Sequence, residues 1–222
     1  MLQDVAVEGS RLAGWSPDRF RKHDIAFVVR SQTVSHHREV RYGVPLEATT
    51  WVSTFRRGLI TNREIRIRDP DGPVVSATQE WVHVKAGKPA RAGAEVVDAF
   101  PIEEIEPSVQ LPQWSPRDGP VFSASLSTWH VTMDPLGHAN HPAYVDWCDE
   151  ALARRWHENG QNPVNIVPVA ERVTYRGGVV APEIVDVSSQ VVGTLVGAEV
   201  METTLKVGDR VAAKATTIRG SI

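Results

Sequence analysis

The strongest constraint on the fold is an element order that occurs twice. In the second half, an alternating run at 121–132 leads through a loop into a helical pattern at 142–159. Further alternating runs follow at 169–176, 183–192, 196–207 and 210–219. The first half shows a helical pattern at 1–20, with Leu2, Val5, Ala6, Gly9 and Leu12 as its apolar stripe, closed by Gly14 and Ser16-Pro17. Runs rich in β-branched residues then come at Ile25 to Thr33, Val40 to Tyr42, Thr50 to Leu59 and Ile60 to Arg68. Asp69-Pro70-Asp71-Gly72 supplies turn chemistry for a hairpin into Val74 to Val84. Val173-Thr174-Tyr175 lines up with Val40-Arg41-Tyr42, and Val211-Ala212-Ala213 with Val75-Ser76-Ala77, so the chain reads as an internal duplication. One helix followed by four strands, twice, predicts an α+β fold in which two antiparallel sheets each wrap a long central helix. The expected division is 1–86 for the first half, 87–118 for a proline-punctuated connector with a short helix at Ala94 to Phe100, and 119–222 for the second half.

Chemistry concentrates in one stretch of the second half. From Asp134 to Tyr144 the chain gathers a carboxylate, the imidazoles of His138 and His141, the amide of Asn140 and a phenol. Pro142 suits the first turn of a helix, because it lacks the N–H that has no partner there. Tyr144, Trp147, Cys148, Ala151, Leu152 and Trp156 then recur on one helical face. The titratable groups therefore crowd a helix N-terminus, where free N–H groups and the dipole favour a developing negative charge. A carboxylate to activate water, with N–H donors for an oxyanion, is what acyl transfer from a carbonyl needs. The bland reading of the same residues is a type I turn, with Asp134 at i, Pro135 at i+1 and Gly137 at i+3. Asn140 reads as the helix cap. Cys148, on the apolar helical face, reads as core. His36 and His37 read as strand or turn residues. His138 and His141 lack a visible third strong ligand, so no metal is expected.

Composition narrows the function classes. The chain has 222 residues, 41% of them apolar and 23% charged, as in an ordinary globular protein. A net charge of −3 with scattered Arg and Lys argues against nucleic acid or an anionic membrane as partner. Its seven tryptophans, without a basic groove, read as core and pocket wall. One cysteine excludes an internal disulfide, and without a secretory pattern or membrane span a cytoplasmic protein is expected.

Asp-x-x-Gly-His-x-Asn-x-x-x-Tyr ahead of a helix and four strands resembles the hotdog-fold thioesterases. The duplication, together with Gly87-Lys88-Pro89-Ala90-Arg91 before a short helix to Phe100, is similar to the acyl-ACP thioesterases, which carry two hotdog halves in one chain. Asp134 and Gly137 match the Asp-x-x-Gly loop of 4-hydroxybenzoyl-CoA-type thioesterases, His138 and Asn140 its Gly-His-x-Asn version, and His141 the histidine of a sister subgroup. The resemblance implies hydrolysis of an acyl-CoA or acyl-ACP thioester without a cofactor. It assigns catalysis to Asp134 with His138 and His141, and substrate contacts to Gly137, Asn140 and Tyr144. The plant enzymes' Asp-x-Asn-x-His loop is not matched, since Leu136 holds its middle position; their later acid falls near Gly178, with Glu183 the nearest carboxylate. No such loop occurs in the first half, and Met1 falls where the first hotdog helix should already be under way, so either the start is misassigned or truncated or this half lacks the strand ahead of its helix; one site per chain is expected, with the first half shaping the acyl pocket. The halves would stand in for the family's dimer, and a homodimer of chains is compatible with this. Competing readings are a hotdog dehydratase or hydratase, whose Asp-x-Asn-Pro-x-His and His-Phe-Pro strings do not occur here, and a non-catalytic acyl-binding protein.

Overall fold

The computed structural model describes residues 1–134 and 137–221. Pro135 and Leu136, the middle of the expected type I turn and the position that departs from the plant motif, lie outside the described residues. The chain forms two compact units, Met1–Gln110 and Leu111–Ile222.

The first unit opens with α1 (Leu2–Leu12), whose Leu2, Val5 and Ala6 pack on Val34, Ile65, Ile67 and Ala77 of the sheet. Leu12, expected in that stripe, is 74% exposed because the helix ends there and Gly14 turns the chain at φ +82°. Ser16-Pro17, read from sequence as a stop, instead starts α2 (Pro17–Lys22). The Ser16 hydroxyl accepts the Arg19 N–H at 3.3 Å and proline takes the first helical position, so the pair caps a new helix. Four strands follow: β1 (Ile25–His36), β2 (Glu47–Arg56), β3 (Ile60–Asp69) and β4 (Gly72–Lys85), paired antiparallel in the order β2-β3-β4-β1. The Asp69–Gly72 turn forms the expected hairpin.

Val40 to Tyr42 is not a strand. Pairing along this edge ends where the His37 N–H meets the Val74 carbonyl at 2.8 Å, and Tyr42 projects fully into solvent ahead of Gly43 at φ +85°. The strand matching β1 in the second half is therefore the one that contains Val173 to Tyr175, and residues 40–42 correspond to no strand there.

The connector segment divides between the units. β5 (Lys88–Pro89) pairs with β4, and α3 (Ala94–Ala99) buries Val96 beside Trp15, Val52 and Phe100. Residues 106–109 are fastened to the sheet by Glu64, which is completely buried. Its carboxylate accepts the hydroxyls of Ser53, Thr78 and Ser108 at 2.8, 2.5 and 2.7 Å, while Thr78 in turn accepts the Val109 N–H at 2.7 Å.

In the second unit, β6 (Ser115–Pro116) and β7 (Val121–Ser127) both pair with β9 (Ile184–Leu195). The rest of its sheet runs β8-β11-β10-β9, from β8 (Ile166–Tyr175), β10 (Ala198–Val207) and β11 (Arg210–Ser221). This repeats the pairing order of the first unit, strand for strand. Across the sheet lies α4 (Ala143–Glu158), 16 residues against 11 in α1. All six residues of its expected stripe are buried. Burying each large side chain contributes about 1.5–3 kcal/mol, which outweighs the modest helix propensity of its aromatic residues. Charge also fixes the helix to the sheet: Arg219 on β11, nearly inaccessible, donates two hydrogen bonds to Asp149 at 2.8 and 3.1 Å and one to Glu171 on β8 at 2.8 Å. Each unit is thus an antiparallel sheet with helix packed on it, an α+β arrangement that fits the hotdog fold. Among the described residues no helix is long and apolar enough to cross a membrane.

Candidate active site

The loop that carries the motif is built by strand termination. β7 ends at Ser127, short of the expected 132, because Thr128 turns the chain off the sheet; its N–H and hydroxyl both donate to the Glu183 carbonyl, at 3.1 and 2.7 Å. A 3-10 turn over His130–Thr132 follows, and Met133 forms a lone bridge with Ala139. Inside that bridge the chain reverses. The Asp134 N–H meets the His138 carbonyl at 2.7 Å and the Gly137 N–H the Asp134 carbonyl at 2.9 Å, while Gly137 takes φ +79°, a conformation glycine adopts without steric cost. The Asp134 carboxylate folds back toward this turn, with Oδ1 3.4 Å from the His138 nitrogen.

The two histidines occupy different environments. His138 is exposed, and its ring sits close against Gly178: a Cβ there would stand 2.3 Å from the ring Cδ2. His141 is largely buried, its ring edge-on to Tyr175 at a centroid distance of 6.1 Å, and the Tyr175 hydroxyl donates to the His141 carbonyl at 3.2 Å. Burial lowers the His141 imidazole from 6.5 to about 4, against a smaller opposing pull from the Asp134 charge. At neutral pH it is therefore an uncharged hydrogen-bonding group.

Asn140 does not cap α4. The helix has no side-chain cap; the Asn140 backbone carbonyl closes the first turn by accepting the Ala143 N–H at 2.9 Å, and Pro142 is already helical at φ −59°. Among the described residues the Oδ1 of the freed amide is buried without a hydrogen-bond partner. Tyr144, 3% exposed, donates its hydroxyl to the Gly177 carbonyl at 3.1 Å and stacks edge-on with Tyr175, so it forms the wall behind the loop. Burial raises its phenol above the ordinary value. Cys148 is fully enclosed, and burial pushes its thiol up to about 12, which removes it as a nucleophile.

Sequence reasoning missed the support behind His138. Residues 177–180 are held by Glu183, whose Oε2 accepts the Val180 N–H at 2.8 Å, and by Arg210, which donates to the Gly178 carbonyl at 2.8 Å and pairs with Glu183 at 3.4 Å. The Val179 carbonyl accepts the Ala139 N–H at 2.7 Å, which ties this loop to the motif. The visible signal was the Gly177-Gly178 pair, but only folding shows what it packs against. Among the described residues no three His, Cys, Asp or Glu side chains come together to hold a metal ion.

Residues 1–100 match the family model of the acyl-ACP thioesterase N-terminal domain. No curated protein matches the chain. Among solved structures, it is similar to a protein assigned as an oleoyl thioesterase from Lactobacillus plantarum (17% identity, TM-score 0.79, covering 98% of this chain and 84% of that one). It is also similar to an acyl-ACP thioesterase from Bacteroides thetaiotaomicron (17%, TM-score 0.74, 98% and 86%). A third similar structure is a 12:0-ACP thioesterase from Umbellularia californica (18%, TM-score 0.69, 91% and 76%). Residues 1–100 are therefore similar to the acyl-ACP thioesterase N-terminal domain, and the chain as a whole has the tandem hotdog fold.

Proposed function

We propose that this protein hydrolyses the thioester of an acyl group carried on acyl carrier protein, releasing the free acid and the carrier thiol, at a single site around Asp134. The observation that carries the reading is the loop itself. It carries the Asp134 carboxylate in the segment between β7 and α4, with Oδ1 3.4 Å from the His138 nitrogen, and the same segment holds the Asn140 amide oxygen, buried and without a partner among the described residues. The description of the family matched by residues 1–100 favours acyl carrier protein over coenzyme A.

In the proposed reaction the Asp134 carboxylate takes a proton from water as the oxygen attacks the thioester carbonyl carbon. The resulting oxyanion accepts backbone hydrogen bonds at the mouth of α4. The His141 N–H has no acceptor among the described residues, and the Tyr144 N–H reaches its own only at 3.4 Å. Collapse of the tetrahedral intermediate breaks the C–S bond, and the proton held by Asp134 passes to the departing sulfur. His138, exposed and seated on Gly178, lies where it can orient the thioester; neutral His141 shapes the wall, and Gly137 lets the turn close. Asn140 Oδ1 can accept a hydrogen bond from an N–H of the substrate arm or from the attacking water, whose proton goes to Asp134. Glu183 is less suited to act as the base, because its carboxylate already holds the Val180 N–H and Arg210.

The test is thiol release from acyl-ACP and acyl-CoA substrates of short, long and aromatic acyl groups, for the wild type and Asp134→Asn. Turnover with a loss of at least about a hundredfold in the variant, the scale of a missing general base, is expected. Turnover that survives the change would make the loop only a turn. Acyl binding without turnover in the wild type would favour the non-catalytic alternative.

A further inference from the structure

β7 is an edge of the second unit's sheet. Among the described residues it pairs with β9 alone, from Val121 against Gln190 to Ser127 against Ile184. Just beyond both ends of this ladder the even-numbered positions make the bonds: the Val191 N–H meets the Pro120 carbonyl and the Thr128 N–H the Glu183 carbonyl, each at 3.1 Å. The alternation of an antiparallel pair therefore turns the N–H and C=O groups of Val121, Ser123, Ser125 and Ser127 outward. None of these groups has a partner among the described residues. The side chains of the same four residues are exposed, while Phe122, Ala124 and Leu126 face the core, the first two only partly buried.

A free edge is a template for pairing with another chain, and sheets commonly defend it with charge, proline, a bulge or a covering segment. The edge of the first unit is defended in this way: β2 carries a register shift between Val52 and Thr54, and the Glu103 N–H covers the Val52 carbonyl at 2.8 Å. Among the described residues β7 has none of these devices. It contains no charged residue and no proline, and its ladder with β9 runs without the register shift found in each of β8–β11, β11–β10 and β10–β9. Large apolar side chains stand exposed at its two ends. Val121 marks one end; at the other, Ile184 lies across from Ser127, and Trp129 and Val131 follow at 68% and 86% exposed.

We infer that β7 is the interface between two copies of this chain, joined edge to edge about a two-fold axis at Ala124. An antiparallel pair of identical strands is two-fold symmetric, so each copy offers the other the groups it needs and the assembly closes at two. With the axis at Ala124, Val121 meets Ser127 of the second copy and Ser123 meets Ser125, so all four outward residues find partners. An axis at Ser123 or Ser125 would leave one of them opposite a residue outside the strand. On the inner face the same register sets Phe122 across from Leu126 of the second copy and Ala124 across from its own counterpart, which covers the partly buried margin of the core. On the outer face the central cross-strand pairs are serines, small and uncharged, so the strands approach without like-charge repulsion. Trp129 and Val131, just past Ser127, then stand at the Val121 end of the second copy.

The experiment is sedimentation equilibrium of the full chain from low to high micromolar concentration, on the wild type, Ser125→Ala and Ser125→Pro, with a thermal melt of each. Proline removes an outward N–H, and an edge strand tolerates it where that N–H faces away from the sheet. Wild type and Ser125→Ala should reach twice the mass of one chain. Ser125→Pro should melt as a folded protein and dimerise at least about tenfold more weakly, the scale of one or two lost hydrogen bonds. Two cysteine variants read the register, since Cys148 is enclosed. Ala124→Cys places its thiols across the axis, on Cα atoms about 4.5 Å apart, and should give a disulfide-linked dimer on mild oxidation. Ser127→Cys places them about 20 Å apart, at ~3.4 Å per residue, and should not. A wild type that keeps the mass of one chain throughout would overturn the inference. So would a folded Ser125→Pro that dimerises as tightly as the wild type, or equal cross-linking at 124 and 127. If proline unfolds the chain, the cysteine variants decide. None of these outcomes depends on the reaction proposed for Asp134.

Discussion

Replacing His141 with glutamine isolates one titration in the folded protein. The native imidazole is lowered from 6.5 to about 4, chiefly by burial, so between those values the unfolded chain binds a proton that the folded chain refuses. Stability from this residue is complete above pH 6.5 and drains away as pH falls toward 4. A shift of that size corresponds to about 3 kcal/mol, at roughly 1.36 kcal/mol for each tenfold change in proton affinity. Glutamine keeps the hydrogen-bonding character without the titration. Urea unfolding of both proteins from pH 8 to pH 4 would measure this directly, since groups common to both cancel in the difference. The wild type should lose about 3 kcal/mol more than His141→Gln over that range. Parallel stability curves would refute the argument, because they would mean that His141 is hydrated or charge-compensated in the native state.

Gly178→Ala should leave the melting temperature within a few degrees of the wild type while lowering kcat by at least about tenfold, because the added Cβ displaces the His138 ring from its seat; unchanged kcat would separate His138 from the reaction. Cys148 should react with a thiol reagent only on unfolding, and Cys148→Ala should keep near-normal turnover, because the thiol is enclosed and its ionisation suppressed; rapid labelling of the native protein would contradict this. Glu64→Gln should cost about 1–3 kcal/mol, since an amide cannot accept all three hydroxyls, and should speed proteolysis near residues 106–109, which limited digestion would detect.

What the sequence by itself determined is the plan of each unit. Period-2 runs and turn dipeptides mark strands because side chains alternate across a sheet, and the stripe from Tyr144 to Trp156 marks α4 because one helical face must be dry. Local chemistry put a glycine at 137, where the backbone takes φ +79°, since tolerance of positive φ is a property of the residue alone. The errors were also local. Ser16-Pro17 is as good a helix start as a helix stop, and Val40 to Tyr42 has strand composition but no partner to pair with. Tertiary structure alone decided which polar groups meet. Nothing in the spacing of His138, Gly178, Glu183 and Arg210 announces that one ring rests on a glycine buttressed by an ion pair. Nor does the sequence distinguish Glu64 from Arg63, adjacent on one strand; the first is surrounded by hydroxyl donors, and the second meets the hydroxyls of Thr50 and Ser10 with no opposite charge among the described residues. Burial and pairing belong to contacts between segments distant in the chain, and these exist only once the sheet has closed around its helix.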